Sequence, residues 1–307
     1  MAGDAIMMTD VESYLALRRT AGFVMSNAEY LLRSFARFAA ARQEQHIRTA
    51  TLIEWASQAT SLAQRHARYQ AICYFARDRR LEDAQHELPP PNHFGYKKTR
   101  RLPHIYSPAE IEQFILAAGR LSPSDVLRPQ TYSTLISLLA VTGMRISEAL
   151  GLRMPDVTPD GLLIRKTKFQ KTRLIPLHDT SSAGLQSYLE QRLKIHPVGD
   201  HVFVGRSGQP LTYGAVHRVF GTLLKSAGVL PSPRGRARLH GLRHTFAVRA
   251  LESAPAGRQR VGQHMVALAT YMGHVNIDAT YWYLETTPEL LADIAVAGEK
   301  FLAGDRP

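Results

Sequence analysis

The segment Thr142–Glu148 reads TGMRISE, and the prediction of the fold starts from it. It lies between two apolar stretches at helical spacing, residues 132–141 and 146–152, and Gly143 allows a tight backbone turn between them. An arginine at a helix start can grip a phosphate through two parallel hydrogen bonds, because helix N-termini favour anions. Arg145 could instead pair with the glutamate on the next turn, and this segment alone leaves both interpretations open.

The chain after residue 106 is predicted to be mostly α-helical with one small β-hairpin. Ser107-Pro108-Ala109-Glu110 combines a capping serine, a proline in the first turn and a glutamate three residues on, which is a strong signal for a helix start. Leu162–Lys166 and Arg173–Leu177 are predicted to be strands joined by a turn across residues 168–171. Further helices are predicted at residues 182–194, 213–227, 239–251, 263–272, 279–285 and 288–302.

Residues 9–85 are predicted to form a bundle of four short helices. The helices would start at Thr9 or Asp10, at Ser26, at Thr49 or Thr51, and at Ser61, because such residues cap helix N-termini. Several arginines on these helices could contact phosphates or could form a solvated face, and the sequence does not decide between the two: Arg33, Arg37, Arg65, Arg68, Arg77, Arg79 and Arg80.

A Pro-rich, basic segment separates the two predicted domains. Pro89–Pro91 stops any helix and favours an extended chain, and four basic residues follow: Lys97, Lys98, Arg100 and Arg101. Such a linker suits a chain that wraps a polyanion, although an exposed hinge would look similar. The sequence therefore predicts a helical domain at 1–88, a linker at 89–105 and an α+β domain at 106–307.

The charge is concentrated in the second part of the chain. The 307 residues carry a formal net charge of +12, and residues 1–96 hold 11 Arg, no Lys and 10 acidic residues. Residues 97–307 therefore hold 27 basic and 16 acidic residues. Such an excess indicates a polyanionic partner, although charge alone does not separate a DNA-binding protein from one bound to ribosomes or to a membrane surface.

Composition also sets limits on the class of protein. No apolar run approaches the roughly 18–20 residues that a membrane span needs. The first ten residues carry two acids and no base, which is unlike a signal peptide. A single cysteine, Cys73, excludes an internal disulfide framework and fits a reducing cytoplasm, and its apolar neighbours predict a buried thiol.

His240 and Arg243 are three residues apart, so they share one face of a predicted helix. His244 lies four residues from His240, which raises a zinc site as an alternative. That alternative is weak, because the intervening residues include no glutamate of a His-Glu-x-x-His motif and because Arg243 would repel a metal ion. No metal or other cofactor is expected.

Three further polar residues stand in distinctive settings. Lys168 lies at the predicted hairpin tip, where a flexible amine can donate a proton or simply form part of a basic surface turn. His274 follows Gly273, which is predicted to end a helix. Tyr283 comes nine residues later. A phenol, with an ordinary pKa near 10, becomes a nucleophile only beside a base or in a cationic pocket, and otherwise such a tyrosine is a packing residue.

Taken together, these segments resemble the tyrosine recombinase (phage integrase) family. That family carries Arg in a Thr-Gly-x-Arg-x-Ser-Glu segment, Lys in a hairpin, His-x-x-Arg, then Gly-His and a Tyr nine residues on. The resemblance spans about residues 105–290, and the preceding bundle resembles the SAM-like core-binding domain of the family. Two departures are a long interval between Arg243 and His274, with a predicted loop at 253–260, and the absence of glycines beside Lys168.

The resemblance implies a catalytic set and its roles. Arg145 and Arg243 would hold the scissile phosphate, His240 would take or orient a proton, and His274 would bind the phosphate. Tyr283 would attack phosphorus to leave a 3′-phosphotyrosyl link, and Lys168 would protonate the leaving 5′ oxygen, without metal or ATP. DNA contacts are expected from the basic residues of the linker and of the hairpin: Lys97, Lys98, Arg100, Arg101, Lys166, Lys171 and Arg173.

The expected function is site-specific recombination of double-stranded DNA in the cytoplasm, for integration or excision of a mobile element or for replicon resolution. The family implies a homo-tetramer on paired sites, with accessory recombinases or DNA-bending proteins as further partners. The last predicted helix, 288–302, could dock on a neighbouring protomer or on its own domain. Two alternatives are a DNA-relaxing enzyme similar to type IB topoisomerases and a catalytically silent DNA-binding regulator.

Overall fold

The chain divides into two compact units in a computed structural model: Met1–Arg100 and Arg101–Pro307. The structure describes residues 2–97, 103–122, 127–165, 172–195, 198–205, 207–229, 237–253, 258–273 and 280, and for 2–5 and 258–261 it describes the backbone. Both units are predominantly helical, and the second contains a small antiparallel sheet. The prediction of a mostly α chain with a small β element is confirmed.

The first unit is built from four helices, as predicted. Their bounds are α1 Ala2–Thr20, α2 Ser26–Ala40, α3 Thr49–Ser57 and α4 Leu62–Glu82. Large apolar side chains fill the space between them, and Phe35 of α2 meets Trp55 of α3 edge to face at 5.4 Å. The thiol of Cys73 on α4 is buried in this core, as its apolar neighbours predicted.

Helix starts in the first unit agree with the capping prediction for α4 and differ from it for α1 and α2. Ser61 caps α4, since its hydroxyl accepts a hydrogen bond from the backbone N–H of Gln64 at 3.2 Å. Ser26 was predicted to cap α2 but is its first helical residue, because Met25 takes the cap position with a left-handed backbone, φ +56°. The first helix begins at Ala2, ahead of Thr9 and Asp10.

Several arginines of the first unit are engaged within it. Arg65 donates to Ala59 O at 2.8 Å, Arg68 to Trp55 O at 3.2 Å and Arg80 to His86 O at 2.6 Å. Arg79 is 5% exposed and pairs with carboxylates. The sequence left phosphate contacts and a solvated face as the two alternatives. The structure shows a third role for these arginines, which is to donate hydrogen bonds to carbonyl and carboxylate groups within the bundle.

The first part of the predicted linker lies against α4. The hydroxyl of Tyr69 donates to Pro90 O at 2.8 Å, and its ring contacts the rings of His93 and Phe94, each at 5.6 Å. Lys97 is exposed. The extended Pro-rich segment therefore belongs structurally to the first unit up to at least this contact, while Lys98, Arg100 and Arg101 lie outside the described residues.

The second unit carries its described elements in the predicted order, and the helices predicted at 279–285 and 288–302 lie outside the described residues. Its helices are α5 Pro108–Gly119, α6 Arg128–Thr142, α7 Ile146–Leu150, α8 Asp179–Leu193, α9 Tyr213–Ser226, α10 Leu239–Glu252 and α11 Arg258–Met272. The strands are β1 Val157–Thr158, β2 Gly161–Ile164 and β3 Arg173–Ile175, which follow a short 3-10 turn at Met154–Asp156. The predicted loop at 253–260 is wrong at its end, because α11 already begins at Arg258.

The sheet is antiparallel, with the order β1-β2-β3. Leu162 pairs with Ile175, and Ile164 with Arg173, so the predicted hairpin is confirmed. Strand β1 was not predicted, because two residues carry too little alternation to be recognised. The residues that join β2 to β3, 166–171, lie outside the described part, and so do Lys166, Lys168 and Lys171.

Helix α6 lies at the centre of the second unit and packs against α5, α8 and α10. Its apolar side chains, among them Leu135, Leu138 and Leu139, are buried in the main core of the unit. The predicted capping box of α5 is present: Ser107 Oγ accepts from Glu110 N at 3.1 Å, and Glu110 Oε2 accepts from Ser107 N at 2.7 Å. None of the described helices has the length and apolar character needed to cross a bilayer.

Candidate active site

Gly143 sets the position of Arg145. The glycine ends α6 with a left-handed backbone, φ +59°, and its N–H donates to Leu139 O at 3.1 Å. A Cβ at this position would lie 2.7 Å from Phe246 Cγ, so the close approach of α10 also requires glycine. The chain then turns directly into α7, and Arg145 occupies its N-cap position, as the TGMRISE segment predicted.

The side chain of Arg145 reaches across the unit. It donates from Nη1 to Glu148 Oε1 at 2.8 Å and from Nη2 to Gly273 O at 3.2 Å, 128 residues further along the chain. Its backbone N–H donates to Glu148 Oε2 at 2.8 Å. The side chain is 30% exposed. The pairing with Glu148 is therefore present, and it orients the guanidinium while leaving part of it open to solvent.

Arg243 approaches the same place from α10. It is 3% exposed and donates from Nη1 to Gly143 O and from Nη2 to Met272 O, both at 2.6 Å. Met272 ends α11, and the residue after it, Gly273, accepts the hydrogen bond from Arg145. Two arginines from distant segments thus meet at the two neighbouring carbonyl groups that precede His274 in the sequence.

His240 lies one helical turn before Arg243 on α10, as predicted. Desolvation by the surrounding protein is the main cause that lowers the pKa of His240, and the positive charges of Arg243 and Arg145 lower it further. Much of the residue surface nevertheless remains accessible to solvent. Above this lowered pKa the imidazole is neutral and can accept a proton. Its ring meets that of His244 edge to face at 4.6 Å.

A zinc site at His240 and His244 would need at least one further ligand side chain beside them. Within the part of the chain that the structure describes, no cluster of three or more His, Cys, Asp or Glu side chains could hold a metal ion. The two histidines instead share their helix with Arg243, whose charge lowers the pKa of His240.

Glu148 joins Arg145 to a third arginine that the sequence had assigned to another role. Arg173 donates from Nη1 and Nη2 to the two carboxylate oxygens of Glu148, at 3.1 and 2.8 Å. Burial raises the pKa of Glu148, whose side chain is 8% exposed, but hydrogen bonds and charge from Arg173 and Arg145 outweigh it and lower the pKa to about 2. The carboxylate is therefore ionised near neutral pH.

Of the six predicted catalytic residues, the structure brings Arg145, Arg243 and His240 to one site, while Lys168, His274 and Tyr283 lie outside the described residues. Sequence reasoning noted Glu148 as a partner of Arg145 but missed its bridge to Arg173. It also missed Tyr106, whose N–H donates to Thr245 Oγ1 at 2.8 Å and whose hydroxyl donates to Arg238 O at 2.9 Å. Those contacts fix the start of the unit to α10, and no motif marks them.

Residues 107–289 match the model of the phage integrase family. The putative integrase/recombinase y4rB of Sinorhizobium fredii is 33% identical over 294 residues, which are 92% of this chain and 94% of the relative. Tyrosine recombinase XerD of Caulobacter vibrioides is 32% identical over 204 residues, which are 64% of this chain and 62% of the relative.

The fold is similar to that of the XerH site-specific recombinase, solved in a post-cleavage complex with a palindromic difH substrate. The two structures align with a TM-score of 0.65 and 21% identity over 89% of this chain and 79% of XerH. The family match covers more than half of this chain and includes the segments that bring Arg145, Arg243 and His240 together. The chain therefore belongs to the phage integrase family of tyrosine recombinases, enzymes that break and rejoin DNA strands.

Proposed function

We propose that this chain is a site-specific recombinase that cuts and rejoins double-stranded DNA at paired target sites through a 3′-phosphotyrosyl intermediate, with Tyr283 as the nucleophile. The observation that carries the proposal is the meeting of Arg145 and Arg243 at the carbonyl groups of Gly273 and Met272, directly before His274. Two guanidinium groups held there can bind one phosphodiester, which is the group that the family's chemistry acts on.

The proposed reaction is a transesterification in which each residue has one task. The phenolic oxygen of Tyr283 forms a bond to phosphorus, and the bond from phosphorus to the 5′ oxygen breaks. His240 accepts the phenol proton, and the lowered pKa of His240 supports this role because the imidazole is neutral at pH 7. Lys168 gives a proton to the departing 5′ oxygen.

Arg145 and Arg243 offset the charge that builds up on the non-bridging oxygens, and His274 donates a hydrogen bond to the phosphate. The phosphotyrosyl ester conserves the energy of the broken bond, so a 5′-hydroxyl can reverse the step and reseal the strand without ATP. The fixed cations supply the charge stabilisation that a metal ion would otherwise supply, and we therefore propose that no metal is needed.

DNA binding is proposed for both units. The domain at 1–88 would act as the core-binding part and the linker at 89–105 would follow the duplex, with contacts from Lys97, Lys98, Arg100 and Arg101. Lys166 and Lys171 would contact DNA beside the hairpin. The excess of basic residues in 97–307 supports this assignment.

The biological reaction is proposed to be integration or excision of a mobile element or resolution of a replicon, in the cytoplasm, by a homo-tetramer on two paired sites. The similarity to the putative integrase/recombinase y4rB over nearly all of both chains supports recombination as the activity. The fold shared with XerH, solved on its difH substrate, supports duplex DNA as the partner. Accessory recombinases or DNA-bending proteins would act as further partners.

A nicked-duplex trapping experiment tests the proposal. Duplexes tiled across the DNA that flanks the gene carry a nick next to each candidate cleavage position, so that the 5′-hydroxyl fragment diffuses away and the covalent adduct accumulates. Wild type is expected to form an SDS-resistant protein–DNA adduct in EDTA and without ATP. Tyr283→Phe should bind the same duplex without forming an adduct, and the matched control Tyr281→Phe should form it.

Three outcomes would contradict the proposal. If wild type binds a duplex in the set but forms no adduct on any of them, the enzyme is silent and acts as a DNA-binding regulator. An adduct lost in Tyr281→Phe but kept in Tyr283→Phe makes Tyr281 the nucleophile. Relaxation of supercoiled plasmid by single protomers, with no joining of two duplexes that carry the trapped site, assigns the chain to a topoisomerase reaction.

A further inference from the structure

Arg173 is the first residue of β3 and pairs across the sheet with Ile164. Its sequence position, beside the basic hairpin, predicted a contact with DNA. Its side chain, however, is 12% exposed, and both terminal nitrogens point to the carboxylate of Glu148. A phosphate contact needs these donors directed to the surface, so the described geometry favours a different role.

The partner of Arg173 is the residue that orients Arg145. Glu148 accepts one bond from the Arg145 guanidinium and another from the Arg145 backbone N–H, both at 2.8 Å. Because the planar fork of Arg173 grips both carboxylate oxygens, it fixes the plane of that carboxylate as well as its position. A lysine in the same place would neutralise the charge without fixing the plane.

A second contact leads from Arg173 to Arg145 by way of Gly273. A Cβ built on Gly273 would lie 3.0 Å from Arg173 Nη1 and 3.3 Å from Cζ, so the guanidinium lies directly against this residue. The carbonyl of Gly273 accepts the other hydrogen bond of Arg145, at 3.2 Å. Arg173 therefore touches both groups that hold the Arg145 side chain in its described position.

We propose that Arg173 is a positioning residue for strand cleavage, which acts by holding Glu148 and Gly273 in the geometry that aims Arg145. This inference rests on the proposed function, because it concerns the same cleavage step. It predicts that loss of Arg173 slows the chemical step and leaves DNA affinity nearly unchanged. A direct phosphate contact predicts the reverse, with weaker binding and a shallower dependence of affinity on salt.

The first experiment compares Arg173→Lys and Arg173→Gln with wild type on the trapped nicked duplex. We expect the single-turnover rate of adduct formation to fall about 10- to 100-fold for both, because small misplacements of a catalytic group cost this much. DNA affinity and its salt slope should stay at the wild-type values. Arg153→Lys is the matched control, since Arg153 also pairs with one carboxylate, Asp200 at 2.9 Å, but on the exposed surface.

A second experiment identifies the group through which Arg173 acts. A methylphosphonate at the mapped scissile position replaces one charged oxygen by a methyl group, so less charge builds up for Arg145 to stabilise. We expect the rate loss of Arg173→Lys to shrink on this substrate in parallel with that of Arg145→Lys. A merely structural defect would reduce the rate equally on both substrates.

Several results would overturn the inference. One is a rate loss of Arg173→Lys that stays at full size on the methylphosphonate but disappears on a substrate with a 5′-bridging phosphorothioate. Because the thiolate of that substrate leaves without being protonated, Arg173 would then act on the leaving-group side. The inference would also be overturned if Arg173→Lys and Arg173→Gln formed the adduct at the wild-type rate, or if these variants bound DNA more weakly than wild type. Failure of wild type to form any adduct would instead contradict the proposed function, so the two failures are distinguishable.

Discussion

Arginines pair with carboxylates in both units, but in opposite proportions. In the first unit, one guanidinium, that of Arg79, lies near three carboxylates: Asp78 at 2.6 Å, Glu82 at 2.7 Å and Asp10 at 3.7 Å. In the second unit, two guanidinium groups, those of Arg145 and Arg173, share the single carboxylate of Glu148. The first cluster, one arginine with three carboxylates, is net negative, and the second, two arginines with one carboxylate, is net positive.

This difference separates an arginine that stabilises the fold from one that can serve a reaction. Three acids around Arg79 compensate its charge. Arg79 is only 5% exposed and lies where α4 contacts α1. One acid between two arginines fixes their geometry, yet it leaves positive charge for an anion, and Arg145 remains 30% exposed. In these two clusters, the ratio of acids to arginines therefore differs in the same direction as the two roles.

The largest expected effect comes from the same substitution made in both clusters. Arg145→Lys keeps the charge but loses the fork, so we expect adduct formation on the nicked duplex to fall about 100-fold or more, roughly 3 kcal/mol. Arg79→Lys should leave the rate per folded molecule at the wild-type value. Single-turnover kinetics on the trapped duplex measure both. Equal losses in the two variants would remove the distinction between the clusters.

Acid should weaken the net positive cluster in a defined pH window. The folded-state pKa of Glu148, about 2, lies below its ordinary value of 4.5, so its ionised form contributes stability above about pH 4.5. That contribution, on the order of 2–3 kcal/mol, is lost as the pH falls from about 4.5 towards 2. Urea unfolding at pH 7, 5.5 and 3.5 should therefore show Glu148→Gln less stable than wild type at pH 7, with the gap narrowing in acid.

The matched control for that experiment is Glu190→Gln on the exposed face of α8. It should follow wild type at each pH. A gap between wild type and Glu148→Gln that stays constant or widens in acid would mean that the carboxylate is not held ionised by its two arginines.

The smallest expected effect is on the stability of the first unit. Arg79→Met leaves the carboxylates of Asp10, Asp78 and Glu82 without their shared cation, but these acids are partly exposed, so we expect a loss of about 1–2 kcal/mol in the free energy of unfolding. Urea unfolding followed by Trp55 fluorescence in a Trp282→Phe background measures it. Arg37→Met, at an exposed position of α2, should stay within about 0.5 kcal/mol of wild type. A stabilised Arg79→Met variant would mean that the cluster serves no structural purpose.

Local signals predicted a large part of the fold and the placement of part of the site. The capping box at Ser107 and Glu110 lies within four residues, and the structure contains both of its hydrogen bonds. His240 and Arg243 share a helix face because they are three residues apart, and Gly143 makes the turn that its position before Arg145 predicted. Each of these predictions needs nothing beyond the residues of one segment.

Contacts between distant segments could not be predicted in this way. The bridge from Arg173 to Glu148 joins residues 25 apart on different elements, so the sequence offered only the basic neighbours of Arg173 and suggested a DNA contact. Arg79 gave a similar problem, because Asp10 meets it across the bundle from another helix. The short strand β1 was missed because two residues show too little alternation to be recognised. The start of α11 was missed because Pro255 and Gly257, directly before it, are typical of loops.

The main-chain acceptors of Arg145 and Arg243 have a consequence for how this enzyme can evolve. A carbonyl oxygen is present whatever side chain its residue bears, so no point mutation at Met272 can delete the acceptor that it offers to Arg243. Selection at these positions should act on backbone path instead. In a saturation library, active variants should therefore carry many different apolar side chains at position 272. At positions 143 and 273 they should retain glycine, because positive φ and close neighbours disfavour every other residue.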